Sequence, residues 1–344
     1  MIREAMLYEK APEGRLHCFL CAHHCRVAPG KSGVCGVREH SEGRMITRAW
    51  GRVIAANVDP IEKKPLYHFL PGSRSFSVGT LGCNFQCPFC QNWEISQSRD
   101  KEELETSGIR LLPEEIVSRA REHGCRSIAY TYTEPTIFFE YAHDTAREAK
   151  AAELYNVFVT NGYMTSEALD AAKPWLDACN VDLKSFRDRF YRNVCRARLK
   201  PVLDTISSLK DLGIWLEVTT LVIPGINDDL RELRDAAEFI ATELGVDTPW
   251  HISRFFPAHK MTHIPPTPAA TLTRARETGL RAGLRYVYVG NVPGEENTFC
   301  RKCGRLLIRR DGYLVVEKHI RPNGRCPNCG TSVAGEWATE VVSL

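Results

Sequence analysis

Between residues 75 and 290 the chain alternates short, nearly continuous apolar runs with longer stretches whose apolar positions recur at helical spacing. The runs SFSVGT (75–80), SIAYTYT (127–133), YNVFVT (155–160), ACNVDLK (178–184), WLEVTTLVI (215–223), PWHISRF (249–255) and RYVYVG (285–290) read as strands. Between them, PEEIVSRAREHG (113–124), FFEYAHDTAREAKAAE (138–153), SEALDAAKPWL (166–176) and DDLRELRDAAEFIATEL (228–244) read as helices. Strands apolar on both faces, separated by amphipathic helices, mark βα units around a parallel sheet covered on both sides. Six or seven such units predict an α/β fold of the partial (β/α)6 TIM-like barrel kind, with an open doubly wound sheet as the alternative. Polar residues favour the barrel, because they gather where strands end: Cys83, then Thr133 and Glu134, Thr160 and Asn161, Asp182 and Lys184. Barrels build their sites at those C-terminal strand ends.

The pattern divides the chain into a Cys-rich N-terminal metal-binding region (1–70), the barrel (71–296) and a C-terminal zinc ribbon (297–344). A chain of 344 residues, 43% hydrophobic and 25% charged, can bury one large core with small modules attached. No apolar run reaches membrane-spanning length. The opening MIREAMLYEKAPEGR has no apolar h-region, so no secretory signal and a cytoplasmic location are expected. A net charge of +3 is too small to argue for a nucleic-acid partner of the whole protein. Residues 300–330, however, hold eight Lys/Arg against two acidic residues. A nucleic-acid-binding or RNA-modifying ribbon protein therefore stays as an alternative, although no stacking-aromatic motif accompanies the charge.

Fourteen cysteines change the picture more. Eleven fall into three groups: Cys18/Cys21/Cys25/Cys35, Cys83/Cys87/Cys90 and Cys300/Cys303/Cys326/Cys329. Disulfide frameworks belong to short secreted domains, so these groups read as metal ligands. The last is C-x2-C-x22-C-x2-C, with the hairpin-like RLLIRRDGYLVVEK between its halves and a turn expected at Asp311-Gly312; a structural Zn2+ is the expected occupant. The first, C-x2-C-x3-C-x9-C, is neither a haem site (Ala22 follows the C-x2-C) nor a ferredoxin run. Zinc is the favoured occupant and a second iron–sulfur cluster the alternative, with His17, His23 and His24 nearby as substitute ligands. GKS at 30–32 is not a P-loop, since Cys25 stands where the first glycine belongs. Cys125 and Cys179 read as packing residues and Cys195 as inert, with a redox or hydrogen-donor role as its alternative.

The middle group, GCNFQCPFCQN (82–92), gives C-x3-C-x2-C after a strand, with no His or Cys in the next 30 residues. Three thiols suit three irons of a [4Fe–4S] cluster with the fourth open; a zinc knuckle with a distant fourth ligand is the duller reading. This loop, with Phe89 before its last cysteine, resembles the radical S-adenosylmethionine (SAM) superfamily. SIAYTYTEPT (127–136) resembles that superfamily's segment receiving the SAM amino group, with Tyr132-Thr133-Glu134-Pro135 where Gly-Gly-Glu-Pro is usual, and NVDLKSF (180–186), LVIPGINDD (221–229) and VTNGYM (159–164) resemble segments of pyruvate formate-lyase activating enzymes. The Cys-rich start ending in GVCGVRE, the GCNFQCPFCQNWEISQ core and the C-terminal ribbon resemble the AmmeMemoRadiSam system radical SAM proteins.

The resemblance implies Cys83, Cys87 and Cys90 as cluster ligands and catalytic centre. It implies SAM contacts from Glu134, Asp182 and Lys184, with Asn161 and Arg254 as further candidates at strand ends. It also implies reductive cleavage of SAM to a 5′-deoxyadenosyl radical that takes hydrogen from a substrate, small molecule or protein. A flavodoxin or ferredoxin would supply the electron, and a Memo-like protein would be a partner. Glycyl-radical activation is an alternative, although activases carry their extra cysteines after the cluster motif. Val159 stands where activating enzymes carry an aspartate, so their cation site near SAM is not carried over.

Overall fold

The structure, a computed structural model, describes residues 2–290, 292 and 296–337. The tail of the expected ribbon region, 338–344, lies outside the described residues. Eight strands form the main sheet: β1 (Ala55–Pro60), β2 (Arg74–Gly79), β3 (Ser127–Tyr130), β4 (Tyr155–Thr160), β5 (Ala178–Asp182), β6 (Trp215–Val222), β7 (Trp250–Arg254) and β8 (Val287–Gly290). They lie side by side in chain order. Neighbours from β2 to β8 run parallel, while β1 pairs antiparallel with β2.

Helices α1 (Pro113–Glu122), α2 (Phe139–Ala151), α3 (Ser166–Ala172), α4 (Leu199–Asp211), α5 (Leu230–Phe239) and α6 (Ala269–Arg281) make the crossovers. That is six βα units and a final strand. A doubly wound sheet would reverse its order at a switch point, and no reversal occurs here. The barrel is not closed: among the described residues, β1 and β8 are edges that do not pair with each other.

The elements start where their chemistry dictates. α1 has Pro113 in its first turn, and the Glu115 carboxylate accepts the Leu112 N–H at 2.6 Å. Thr165 caps α3 through the Ala168 N–H, and Asp229 caps α5 through the Arg231 N–H. Helices α4 and α6 extend the set read from the sequence; α4 buries Leu199, Val202, Ile206 and Leu209 along one stripe. Two expected strands end early. β3 stops at Tyr130 because Tyr132 turns left-handed at φ 67°, and β5 stops at Asp182, leaving Lys184 beyond the strand.

Outward-facing residues such as Phe76, Ile128, Phe158, Val218 and Ile252 pack beneath the helices. The inward face differs. Ala129, Val157 and Ala178 leave room, and a segment that the sequence did not mark, Ile61–Leu70, fills it with Ile61, Leu66, Phe69 and Leu70. This plug is tied to Glu217 of β6, a carboxylate with no exposure. Glu217 accepts the backbone N–H groups of Tyr67 and His68 at 3.0 and 2.8 Å, the Trp215 indole N–H at 3.1 Å, and lies 2.6 Å from His251 Nε2. Burial works against its charge, but the His251 contact and the other donors prevail and hold it below the usual carboxylate range.

The C-terminal module sits across the open side. Its hairpin pairs β9 (Leu306–Asp311) with β10 (Leu314–Lys318). Asp311 pairs with Leu314, so the two-residue turn is Gly312-Tyr313, one position later than expected. Gly312, at φ 56°, takes the turn's first central place, where positive φ suits glycine. Buried Arg310 reaches back to donate to the Tyr67 carbonyl at 2.8 Å, and its guanidinium lies 4.2 Å from the centre of the Tyr67 ring. His68 meets the Ala334 carbonyl through Nδ1 at 2.7 Å and the Tyr288 hydroxyl of β8 through Nε2 at 2.6 Å. The Leu70 N–H donates to the Glu336 carbonyl at 2.8 Å. Plug, edge strand and ribbon thus join at one seam.

His68 makes this seam sensitive to acid. Burial lowers its imidazole from the ordinary 6.5 to about 4. The unfolded chain therefore takes up the proton first as pH falls. The stability owed to neutral His68 is complete above the ordinary value and is lost toward the lowered one, by up to about 1.4 kcal/mol per pH unit. Thermal midpoints measured from about pH 7 to about pH 4.5 should fall more steeply for the wild type than for His68→Gln. Equal slopes would show that His68 does not titrate at the seam.

Candidate active site

The loop after β2 carries Cys83, Cys87 and Cys90. Gly82 opens it at φ 94°, a conformation glycine tolerates, and donates its N–H to the Ile95 carbonyl at 2.8 Å. The Phe85 N–H points to Cys83 Sγ at 3.4 Å, and Cys90 Sγ lies 3.2 Å from Ser96 Oγ. The loop is pinned to β4 by Asn161, whose amide donates to Asn84 Oδ1 at 2.7 Å. Phe89 packs near Phe190 and lies under the Lys184 ammonium, 5.8 Å from its ring centre.

Glu134 is a bracket. Its Oε1 accepts from the Thr136 N–H (3.0 Å), the Thr136 hydroxyl (2.5 Å) and the Thr160 hydroxyl (2.7 Å), and its Oε2 from the Asn161 N–H (2.7 Å). Burial raises this carboxyl even though every one of those donors opposes the shift. Asp182 and Lys184 pair at 3.0 Å. Burial works against the Lys184 ammonium, yet Asp182 and the nearby Cys87 thiol raise it well above its ordinary value, so it stays charged. Arg254, at the end of β7, donates Nε to the Thr267 carbonyl at 2.9 Å.

The eight residues to which the resemblance gives cluster or SAM contacts, Cys83, Cys87, Cys90, Glu134, Asn161, Asp182, Lys184 and Arg254, border one cavity of about 520 Å3 at the C-terminal ends of the strands. Cys195 does not join them: it is buried in the turn Tyr191–Cys195 behind the Cys87 thiol, and its carbonyl accepts the Gln86 N–H at 3.2 Å. Cys125 and Cys179 are buried packing residues, as expected.

Among the residues bordering the same cavity that sequence reasoning missed are Lys63, Lys64 and Tyr313. Lys63 and Lys64 come from the start of the plug and share Asp59, at 2.8 and 2.6 Å. Burial pushes Lys64 down to about 8 while Asp59 pulls the other way. The Tyr132 hydroxyl also donates to Asp59, at 2.7 Å. The signal was the dibasic pair four and five residues after an aspartate. Tyr313, from the tip of the ribbon hairpin, had no local signal.

Residues 77–240 match the family described as the Radical SAM superfamily. The chain is 44% identical to an uncharacterized protein of Methanocaldococcus jannaschii over 337 residues, 96% of this chain and 99% of the relative. This chain belongs to the radical SAM superfamily. A second protein of that organism, named as a candidate glycyl-radical enzyme activating enzyme, is 24% identical over 224 residues, 64% of this chain and 80% of the relative. Streptococcus suis SuiB, solved bound to S-adenosylmethionine, aligns with a TM-score of 0.50 and 12% identity over 70% of this chain and 56% of that one, a likeness of fold alone. The protein is a radical SAM enzyme, and membership implies an iron–sulfur cluster and SAM.

The residues present fit such a cluster. Asn84 Nδ2 is buried beside Cys83 without an acceptor, a position a cluster sulfur would satisfy. Burial raises the Cys83 and Cys90 thiols, and a hydrogen bond with Cys195, followed by burial, raises Cys87. Bound iron reverses that preference, because a coordinated thiol is deprotonated. The C-terminal cysteines differ in their spacing. Among the described residues, the ribbon cysteines form the one group of three or more ligand atoms lying within 4.8 Å of one another. Cys300 and Cys329 are 3.5 Å apart and Cys303 and Cys326 3.7 Å, close to the roughly 3.8 Å edge of a tetrahedral thiolate site. Thiolates that each cap a different iron of a cubane stand wider, roughly 6 Å apart.

The cluster loop leans on the N-terminal region. A Cβ on Gly82 would lie 2.8 Å from Val37 Cγ1 and 2.9 Å from the Cys35 carbonyl oxygen, whereas one on Gly225, at φ 71°, would meet nothing within 4 Å. Gly225→Ala should cost about 1 kcal/mol for the left-handed backbone alone. Gly82→Ala should cost about 2 kcal/mol more and lower the iron bound on reconstitution. Denaturant midpoints and iron assays on both variants check this; equal losses would mean the contact with Val37 and Cys35 is of no consequence.

Proposed function

We propose that Cys83, Cys87 and Cys90 ligate a [4Fe–4S] cluster whose open iron receives SAM, and that Asp182, Lys184, Asn161, Glu134 and Arg254 form the SAM pocket. One observation carries the reading: these eight side chains, drawn from five strand ends, border a single cavity. When bound, the cluster supplies one electron to the SAM sulfonium, giving methionine and a 5′-deoxyadenosyl radical that abstracts hydrogen from the substrate.

The chain's own residues divide the work. Asp182 keeps a third of its side chain exposed, so it has free acceptor capacity for an ammonium, while Lys184 beside it can face a carboxylate. Glu134 is already saturated by four donors and acts by holding Thr160 and Asn161 at the cavity wall. Arg254 adds a cation on the far wall. The ribbon cysteines hold Zn2+, and a low-potential flavodoxin or ferredoxin supplies the electron.

The resemblance to AmmeMemoRadiSam proteins supports a Memo-like partner and a substrate within that system. The relative named for glycyl-radical activation keeps a second reading open, in which the hydrogen comes from a protein glycine. A glycyl radical appearing on a partner protein would favour the activase, and co-purification with a Memo-like protein the first. The ribbon's positive charge gives little support to a nucleic-acid role. Arg310 is buried in the seam and Arg309 pairs with Glu317 at 2.7 Å.

After anaerobic reconstitution with dithionite and SAM, wild-type protein should release 5′-deoxyadenosine and Cys87→Ala should release none. Asp182→Asn should weaken SAM binding about tenfold, roughly 1.4 kcal/mol, by equilibrium dialysis. Full SAM cleavage by Cys87→Ala would refute the cluster assignment.

A further inference from the structure

The N-terminal region holds four thiols that the proposed reaction does not use. Cys18 ends the strand Arg15–Cys18, Cys21 bridges to Met164 of the barrel, and Cys25 and Cys35 flank the loop leading to the strand Arg38–Ser41. None is in a disulfide. The Cys18 N–H donates to the Cys25 carbonyl at 2.9 Å, and the Val34 N–H reaches Cys25 Sγ at 3.5 Å. Cys18, Cys25 and Cys35 all lie within electrostatic reach of the Cys21 thiol. The four form one neighbourhood, with Cys18 and Cys35 buried.

Their spacing separates them from the ribbon. No three of these sulfurs lie within 4.8 Å of one another, whereas the ribbon set does. A single ion needs edges of roughly 3.8 Å. The set behaves like Cys83, Cys87 and Cys90, which also share a neighbourhood without closing to single-ion distance.

A second observation points to a ligand with sulfur-borne charge. Arg38, 1% exposed, donates Nη1 to Cys18 Sγ at 3.0 Å, and its Nε is buried with no acceptor. Its remaining end pairs with buried Glu140. A guanidinium is hard to bury without anionic partners, and N–H groups aimed at coordinating sulfurs are how proteins tune iron–sulfur clusters. Gly33 packs closely here: a Cβ on it would sit 3.5 Å from Cys25 Sγ.

We propose that Cys18, Cys21, Cys25 and Cys35 hold a second [4Fe–4S] cluster, in place of the zinc that the sequence favoured. Four thiolates leave no open iron, so this cluster cannot take SAM. It lies directly behind the first: Cys35 abuts Gly82, and His23 Nε2 is 2.8 Å from the Asn84 carbonyl oxygen. The assignment rests on the geometry of this set and is independent of the SAM reading.

The test is metal counting on protein reconstituted anaerobically with iron and sulfide in the presence of zinc. The Cys83→Ala/Cys87→Ala/Cys90→Ala triple variant should retain about four irons, about four sulfides and about one zinc. Should that variant fail to fold, the wild type decides: about eight irons with about one zinc supports the second cluster, and about four irons with about two zincs overturns it. A triple variant with no iron and about two zincs overturns it too, and leaves the assignment of Cys83, Cys87 and Cys90 untouched, since that variant lacks those ligands by design. Failure of the SAM reading would appear separately, as absent deoxyadenosine with iron content unchanged.

Discussion

A carboxylate buried in the middle of a parallel sheet must have every lone pair engaged, and Glu217 sets the terms for the rest of the molecule. Two of its four partners are backbone amides of the plug, so the charge is compensated only when Ile61–Leu70 lies inside the sheet. With the plug in place, Lys63 and Lys64 stand at the cavity, Tyr67 receives Arg310, and His68 joins Tyr288 to the ribbon. Among the described residues the sheet does not close by hydrogen bonds between its edge strands. It is sealed by side chains and by two segments far apart in sequence.

The same logic holds at the other end of the strands. Glu134 gathers donors from two successive segments, and Asn161 passes that restraint to the cysteine loop through Asn84. The loop is held from one side by the barrel and from the other by Val37 and the Cys35 carbonyl. A site meant to generate a reactive radical profits from such rigidity, because reacting atoms must be positioned closely and water kept out.

Much of this was legible because burial on both faces writes parallel strands as apolar runs, and because cysteine spacing encodes coordination directly. β4 matches its expected bounds at 155–160, and Cys300, Cys303, Cys326 and Cys329 gather as their spacing predicted. The plug was not legible. Its apolar residues, Leu66, Tyr67, Phe69 and Leu70, fill an irregular space and follow neither helical nor strand periodicity. Tyr313 reached the cavity through tertiary packing alone, and Lys184 arrived beside Asp182 from beyond the strand end that local alternation assigned to it. Spacing in the N-terminal group brought Cys18, Cys21, Cys25 and Cys35 together as a set but said nothing of how far apart their sulfurs stand.

The seam also dictates an order of events during synthesis. Arg310 and Tyr67 are 243 residues apart, so the chamber wall cannot be finished until nearly the whole chain has been made. A nascent barrel would expose the seam face of the plug and the open sheet edge until the C-terminal module emerged. Closing so long a loop is slow, and its ends must wait for one another. A chain that lacked the C-terminal module would leave the Tyr67 carbonyl and the Leu70 N–H of the plug without their partners at this seam.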